Sequence, residues 1–344
     1  MSGMLRRLIA SLVLLSLSAA LAAETPGAAA IASAHPLATE AGFEVLDAGG
    51  NAFDAAVAVT AALGVVEPYS SGLGGGGFWL LHRASDGRQE MLDGRERAPG
   101  GATRDMYLDA AGEVTRDSLD GPLSAGIPGV PAAMAHLAEN YGRLPLGRSL
   151  APAIRLAREG FEVTPHYRRM ADWRLAQLRR YPSSARLFLK AGEVPPLGHL
   201  IRQEDLARTL ERLGKEGSAG FYAGRFADLL ATTVRAAGGI WTADDLASYR
   251  VVERDPMVAD FPWARIVSAA PPSSGGVALV TMLNILGGVG PVGDDRALRA
   301  HYIVEAMRRA YHDRAAHLGD PDFWPVPVDA LLAPSHADAL RDTI

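Results

Sequence analysis

Cysteine is absent from the 344-residue sequence, which excludes disulfides, thiolate metal sites and cysteine nucleophiles together. Lysine is nearly absent as well, with only Lys190 and Lys215, so arginine carries almost all of the positive charge. The 34 basic residues are outnumbered by 39 acidic ones, which gives a formal net charge of −5. Because no basic excess is available to neutralise phosphates, the chain is not predicted to bind nucleic acid.

Apolar residues, in contrast, are plentiful. They make up 48% of the sequence against 21% charged residues, an ordinary globular composition that excludes a disordered chain. The length predicts about two domains, or one large layered domain.

The N-terminal residues 1–23 have the pattern of a secretory signal peptide. Two arginines precede an apolar run, and Ala20–Ala22 offers small residues for cleavage. The alternative, a membrane anchor, requires a longer apolar run than this one. We therefore expect a mature region, residues 24–344, that is periplasmic or secreted and has no membrane span.

Hydrophobic periodicity predicts an α+β chain. Asp86-Gly87, between two apolar segments, predicts a β-hairpin. Thr242 and Ser274 stand where side chains that cap helices are expected. The predicted helices are Leu37–Ala48, Ala52–Leu63, most of Leu146–Leu213, Ala243–Tyr249, Val277–Leu286 and Arg296–His317, and the region Val251–Val267 is predicted to be rich in strands.

The spacing Gly72-x-Gly74-x-x-Gly77 matches the glycine pattern of dinucleotide-binding loops. In those loops a strand precedes the glycines and a helix follows, whereas here a helix is predicted before them and a strand after them. The pattern therefore indicates close packing of the backbone.

His301 and Glu305 lie one helical turn apart and could present two metal ligands on one face. We favour the simpler interpretation, an ion pair of Glu305 with Arg308 or Arg309. Neither a bound metal nor a cofactor is predicted.

Seven short motifs occur in a fixed order along the chain. They are Gly49–Ala58, Gly72–Phe78, Gly94–Pro99, Ser124–Gly129, Pro271–Gly276, Glu305–Met307 and Asp313-Arg314 with Leu318–Asp322. Together they resemble the gamma-glutamyltransferase (glutathione hydrolase) family over essentially the whole mature region. The resemblance implies an N-terminal-nucleophile hydrolase fold, a four-layered αββα sandwich, of which this chain would form only the large-subunit half.

The same resemblance implies a precursor that cuts itself into a large and a small subunit. The new N-terminal threonine of the small subunit then attacks a γ-glutamyl amide, such as that of glutathione. This sequence resembles only the large-subunit portion, and the Thr-Thr-His segment that usually starts the small subunit does not occur in it. We therefore expect no catalytic nucleophile in this chain, which alone would be inactive, and a small-subunit partner that carries the threonine.

Arg95 is the substrate-binding residue that the resemblance implies, with the substrate's α-carboxylate as its ligand. A guanidinium offers a planar fork that binds a carboxylate through two hydrogen bonds. From the sequence alone, an ion pair of Arg95 with Glu96 or Asp93 is an equally open alternative. Glu96 is expected to position Arg95, and Arg97 is expected only to decorate the surface.

Two other functions stay open. The chain could be a non-catalytic remnant that binds a γ-glutamyl or amino-acid ligand through Arg95. It could also be part of a related N-terminal-nucleophile amidase, such as a relative of cephalosporin acylases.

Overall fold

A computed structural model describes residues 29–344, and the signal peptide predicted at residues 1–23 lies outside them. The described chain begins with helices α1 (Pro36–Asp47) and α2 (Ala52–Val66). Both predicted helices are confirmed, although α2 continues beyond the predicted end at Leu63. Within the described residues, no helix is long and apolar enough to cross a membrane.

Asn51 and Asp54, from the first motif, begin α2. The Asn51 side chain accepts hydrogen bonds from the helix N–H groups, and Asp54 accepts one from the Asn51 N–H at 2.9 Å. Asp54 is fully buried and also accepts from the N–H of Arg143 at 2.8 Å, on the loop that follows a later helix. Since a buried carboxylate is stable only with such donors, this motif serves the fold.

A β-hairpin supplies the strand that leads to the candidate site. Strand β1 (Gly77–Arg83) pairs antiparallel with β2 (Arg88–Gly94), which confirms the hairpin predicted at Asp86-Gly87. Gly87 has a positive φ of 69°, a conformation that glycine adopts readily. On its other side β2 pairs with β5 (Val252–Arg254), so β2 is the central strand of this sheet.

The segment between the hairpin and β5 is mainly helical, which confirms the prediction for Leu146–Leu213. Thr242 caps the last helix as predicted, accepting a hydrogen bond from the Asp245 N–H. The elements are α3 (Val130–Asn140), α4 (Leu146–Glu159), β3 (Phe161–Glu162), α5 (Pro165–Trp173), α6 (Leu175–Arg180), α7 (Pro182–Phe188), β4 (Leu200–Ile201), α8 (Glu204–Glu216), α9 (Ala219–Tyr222), α10 (Gly224–Ala236) and α11 (Ala243–Ser248).

The C-terminal region follows β5 with a second hairpin and a group of helices. The predicted helices are confirmed here too, and the strand-rich region is divided between β5 and this hairpin. The elements are β6 (Met257–Phe261), β7 (Ala264–Ser268), α12 (Gly275–Gly287), α13 (Arg296–His317), α14 (Val328–Leu332) and α15 (Pro334–Arg341).

The prediction that Ser274 caps α12 through its side chain is wrong. Ser274 has helical backbone angles, φ −84° and ψ −13°, and its hydroxyl accepts a hydrogen bond from Arg314 Nε at 2.9 Å. A capping side chain reaches back to the helix N–H groups from an extended backbone, which Ser274 does not have. Ser273 Oγ instead accepts from the Gly275 N–H, at 3.4 Å.

The main hydrophobic core lies between the hairpin sheet and the helices around α2. Small residues on α2, such as Ala58 and Ala62, are fully buried, and they let α1 and α4 pack closely against it. A smaller cluster around Met257 and Val277 holds α12 and α14 against β6. The β2–β5 sheet therefore ends where these two packed regions meet.

One face of α13 is apolar and exposed. Ile303, Val304, Met307 and Tyr311, which we call the apolar stripe, are between 43% and 55% exposed. Met307 is three positions from Val304 and four from both Ile303 and Tyr311, so the four residues lie on one side of the helix. Within residues 29–344, no strand pairs with the outer edge of β1. Contiguous apolar surface and open sheet edges are typical of surfaces that another polypeptide covers.

We predict that the chain purified alone aggregates or strongly binds a dye specific for exposed apolar surface. The double substitution Ile303→Gln and Met307→Gln should reduce dye fluorescence, because it removes the centre of the apolar stripe. Leu229→Gln, at an isolated residue that is 60% exposed on α10, is the matched control and should have little effect. A monomeric wild-type product that melts cooperatively and binds little dye would contradict this prediction.

Candidate functional site

Arg95 follows directly on the C-terminal end of the central strand β2. Gly94, the last residue of the strand, pairs with Gly77 of β1 and packs against Trp79 and Ala133. Arg95 itself is exposed, and its guanidinium lies over the Phe78 ring, 5.8 Å from the ring centre. The sheet therefore presents a cation at the end of its central strand, where a ligand can reach it.

Three motif segments contact one another around Arg95. The Gly75 carbonyl accepts hydrogen bonds from the N–H groups of Gly129 and Val130, at 2.9 and 3.1 Å. A methyl group added to Gly76 would lie 2.7 Å from the Arg95 Cα, closer than real side chains come. The glycines at 72–77 thus allow close backbone packing, as predicted, and a helix precedes them and a strand follows.

The Arg97 backbone fixes the other side of this turn. Its N–H donates to the Ile127 carbonyl at 3.1 Å, and the Ile127 N–H donates back to the Arg97 carbonyl at 2.7 Å. A methyl group on Gly126 would lie 2.9 Å from the Glu96 Cβ, so glycine is required here for the same steric reason.

Tyr249 fixes the Arg95 backbone through a hydrogen bond. Its hydroxyl donates to the Arg95 carbonyl at 2.7 Å, and its ring stacks on Tyr222 with centroids 5.4 Å apart. The Tyr222 hydroxyl donates in turn to the Pro128 carbonyl at 2.7 Å. Burial, reinforced by the nearby Asp93 carboxylate, raises the pKa of Tyr249, so the phenol stays protonated and remains a donor.

Asp93 and Arg254 form an ion pair beside Arg95. Asp93 Oδ1 accepts from the Arg95 N–H at 3.1 Å, and Asp93 Oδ2 accepts from Arg254 Nε at 2.9 Å. The two terminal nitrogens of Arg254 donate to the carboxylate of Asp322 at 2.9 and 2.8 Å. The hydrogen bonds with Asp322, more than the one with Asp93, raise the pKa of Arg254. In return, Arg254 lowers the pKa of Asp322.

These side chains line a cavity of about 230 Å³ at the end of β2. Such a volume suits an amino-acid-sized group. The cavity is polar, and its charges are balanced between two sets of residues. The basic side chains are Arg95, Arg97, Arg250 and Arg254, and the acidic ones are Asp93, Glu96, Asp320 and Asp322.

A second cavity, of about 500 Å³, adjoins the first. Glu96 lines both, and the second cavity extends along the glycines at 72–76 to Tyr69 and Trp79. Burial and the neighbouring Glu67 raise the pKa of Tyr69 to about 12. Glu96 therefore forms part of the wall of both cavities.

The structure shows no ion pair of Arg95 with Asp93 or Glu96, which was the alternative that the sequence left open. Among the described residues, no carboxylate forms an ion pair with the Arg95 guanidinium, because Asp93 is taken by Arg254. Glu96 lies against Gly76 instead. Arg97 is exposed as expected, but it also lines the cavity, so the expectation that it only decorates the surface is too narrow.

Sequence reasoning missed Tyr249 and Arg254 as parts of this site. Both stand next to or in β5, and only the pairing of β5 with β2 brings them to Arg95. Asp322 carried a signal, since it belongs to the motif Leu318–Asp322, but no role at the site was predicted for it.

Glu305, one of the two possible metal ligands, forms ion pairs on its own helix. Glu305 pairs with Arg308 at 2.7 Å and with Arg309 at 2.5 Å, which confirms the ion-pair interpretation. In the part of the chain that the structure describes, no group of three or more acidic or histidine side chains is arranged to hold a metal ion.

Comparison with known proteins gives a consistent result. The family model described as Gamma-glutamyltranspeptidase matches residues 38–344. A glutathione hydrolase proenzyme of Pseudomonas sp. (strain A14) is 41% identical over 322 residues, which cover 91% of this chain and 55% of that protein. The corresponding proenzyme of Escherichia coli (strain K12) is 39% identical over 321 residues, with the same coverage of 91% and 55%. The chain thus spans about 55% of the length of these curated relatives.

Solved structures agree with this assignment. The gamma-glutamyltranspeptidase of Helicobacter pylori superposes with a TM-score of 0.87 at 41% identity, covering 91% of this chain and 90% of that chain. The cephalosporin acylase of Bacillus halodurans gives 0.80 at 31% identity, covering 93% and 63%. These neighbours have the N-terminal-nucleophile hydrolase fold, which confirms the predicted fold class. The family model matches nearly all the described residues of this chain, and the chain therefore belongs to the gamma-glutamyltranspeptidase family.

Proposed function

We propose that this chain is the large-subunit part of an exported γ-glutamyltransferase or glutathione hydrolase. Residues 1–23 would direct export and be removed, and residues 24–344 would act in the periplasm or outside the cell. The substrate is a γ-glutamyl amide such as glutathione, and a small subunit supplies the nucleophilic threonine. The family membership and the match to about 55% of the curated relatives support this proposal.

The observation that carries the proposal is the unpaired guanidinium of Arg95. Within residues 29–344, no carboxylate forms an ion pair with this side chain, although acidic residues are close by. An arginine that stays charged at any working pH and exposes its fork is suited to bind a carboxylate through two parallel hydrogen bonds. The α-carboxylate of a γ-glutamyl group is such a ligand.

The chemistry of the reaction assigns this chain a binding role. The threonine hydroxyl adds to the γ-carbonyl carbon and passes its proton to the amine that leaves, so a γ-glutamyl ester forms. Water or an acceptor amine then attacks the ester and releases the acyl group. Arg95 holds the far end of the γ-glutamyl group through both steps, which fixes the carbonyl at the nucleophile.

The apolar stripe on α13 and the open edge of β1 support a partner subunit. Association would bury the stripe and provide hydrogen-bond partners for the strand edge. A second candidate, an amidase related to cephalosporin acylases, is favoured by the likeness to the Bacillus halodurans acylase. The two candidates differ in substrate, since only the first requires an α-amino acid group at Arg95.

Co-expression with a small subunit tests the proposed function. The remaining part of the Pseudomonas sp. (strain A14) relative, beginning at its threonine, is a suitable partner. We expect the purified complex to release aniline from a γ-glutamyl-anilide, and a partner with alanine in place of that threonine to be inactive. A folded complex that cleaves cephalosporin side chains but not γ-glutamyl-anilides would support the second candidate.

Arg95→Lys in this complex should raise KM for γ-glutamyl-anilide by about tenfold or more, with a smaller change in kcat, because the charge stays and the fork is lost. Initial-rate kinetics measures both constants. Arg265→Lys, at a residue whose side chain is 61% exposed, is the matched control and should leave them unchanged. An unchanged KM in Arg95→Lys would remove Arg95 from the binding site.

Gly76→Ala should also raise KM, because the new methyl group displaces the Arg95–Glu96 backbone. Gly74→Ala is the matched control in the same segment, where a methyl group would meet nothing within 4 Å. Equal kinetic constants for the two variants, with equal thermal stability, would show that the close approach at Gly76 does not position the site.

A further inference from the structure

Asp93 is placed where it could neutralise Arg95. The two residues are two positions apart at the end of β2, and alternate residues of a strand project to the same side. Asp93 Oδ1 is already bonded to the Arg95 N–H, at 3.1 Å. The second oxygen of the carboxylate, Oδ2, has a different donor.

That second oxygen is held by Arg254. The strand register places Arg254 opposite Met91, on the strand next to Asp93, and its Nε donates to Asp93 Oδ2 at 2.9 Å. The side chains of Arg254 and Asp93 are only 15% and 8% exposed, so water screens this ion pair little. Both oxygens of Asp93 therefore have donors other than the Arg95 guanidinium.

Arg254 is itself held in place by Asp322. The carboxylate of Asp322 accepts from both terminal nitrogens of Arg254, at 2.9 and 2.8 Å, a bidentate pair that fixes the plane of the guanidinium. The raised pKa of Arg254 and the lowered pKa of Asp322 are in accord with two ionised partners. The positive charge of Arg254 is thus already paired with the carboxylates of Asp93 and Asp322.

We propose that Arg254 is a positioning residue that holds Asp93 away from the Arg95 guanidinium and so keeps that guanidinium open for the α-carboxylate of the substrate. This inference rests on the proposed function of Arg95. Without Arg254, the Asp93 carboxylate would turn to Arg95, and the ligand carboxylate would have to displace it. Arg254 lines the cavity beside Arg95, and we assign its effect on substrate binding to its bond with Asp93.

The test compares Arg254→Met with the double variant Arg254→Met and Asp93→Asn, in the complex with the small subunit. In Arg254→Met we expect KM for γ-glutamyl-anilide to rise about tenfold with kcat changed less. The double variant should recover most of the lost affinity, because asparagine still accepts from the Arg95 N–H but no longer neutralises its side chain. If Arg254 were merely structural, the second substitution would make the enzyme worse.

Arg83→Met is the matched control. Arg83 also binds an aspartate through a fork, with Nε and Nη2 on Asp86 at 3.0 and 2.6 Å, but at the opposite end of the hairpin. Its KM should equal that of the wild type. If Arg254→Met fails to fold in a thermal melt, Arg254→Gln, which also removes the charge, replaces it, with the same directions of change.

A second measurement does not depend on turnover. Phenylglyoxal modifies free guanidinium groups, and mass spectrometry of the peptide that contains Arg95 gives the rate. Modification of Arg95 should slow in Arg254→Met and recover in the double variant. Unchanged modification and KM in Arg254→Met, or a double variant worse than the single one, would overturn the proposal. A wild-type complex without turnover but with the expected modification rates would contradict the proposed function and leave the role of Arg254 supported.

Discussion

The close approach of three backbone segments at the end of β2 is the constraint on which the candidate site depends. Gly76 and Gly126 contact the Arg95–Glu96 turn from two sides, at distances that exclude a side chain at either glycine. The backbone bonds between Arg97 and Ile127, and the bond from the Tyr249 hydroxyl to the Arg95 carbonyl, then leave this turn little freedom. A flexible arginine thereby stands on a rigid base, which reduces the entropy lost when it binds a ligand.

Charge in this cavity is balanced, so net charge cannot select a ligand. The arginines of the cavity differ in whether the guanidinium already forms an ion pair with a carboxylate. Arg254 is bonded to two carboxylates, whereas the Arg95 guanidinium, within residues 29–344, has only the Phe78 ring beside it. Arg97 and Arg250, which line the same cavity, also form no ion pair within residues 29–344, so the lack of a partner does not by itself single out Arg95. Under the proposed function, a carboxylate that binds at Arg95 leaves the ion pairs of Arg254 intact.

Local signals were enough to predict much of the fold. The Thr242 cap, the Asp86-Gly87 turn and the helical periodicity each act within a few residues, and the structure confirms all of them. Ser274 failed because a serine before a helix caps it only with an extended backbone, which the preceding residues decide. Arg254 could not be predicted at all, since it meets Asp93 across 161 positions through strand pairing that no local pattern specifies. Arg95 was found through the resemblance, and the reason it is unpaired came only from the structure.

The apolar stripe and Asp322, which lines the cavity beside Arg95, belong to one continuous segment of the chain. Helix α13 carries the stripe and ends at His317, and the chain then runs through Gly319 to Asp322, which holds Arg254. A polypeptide that packs on the stripe therefore presses on the helix that leads into Asp322. Under the proposed function, the position of α13 against its partner would bear on the loop that carries Asp322, because the helix leads directly into that loop. Under the proposed function, the surface that the partner covers and the ion pair beside Arg95 are therefore connected through the few residues between α13 and Asp322.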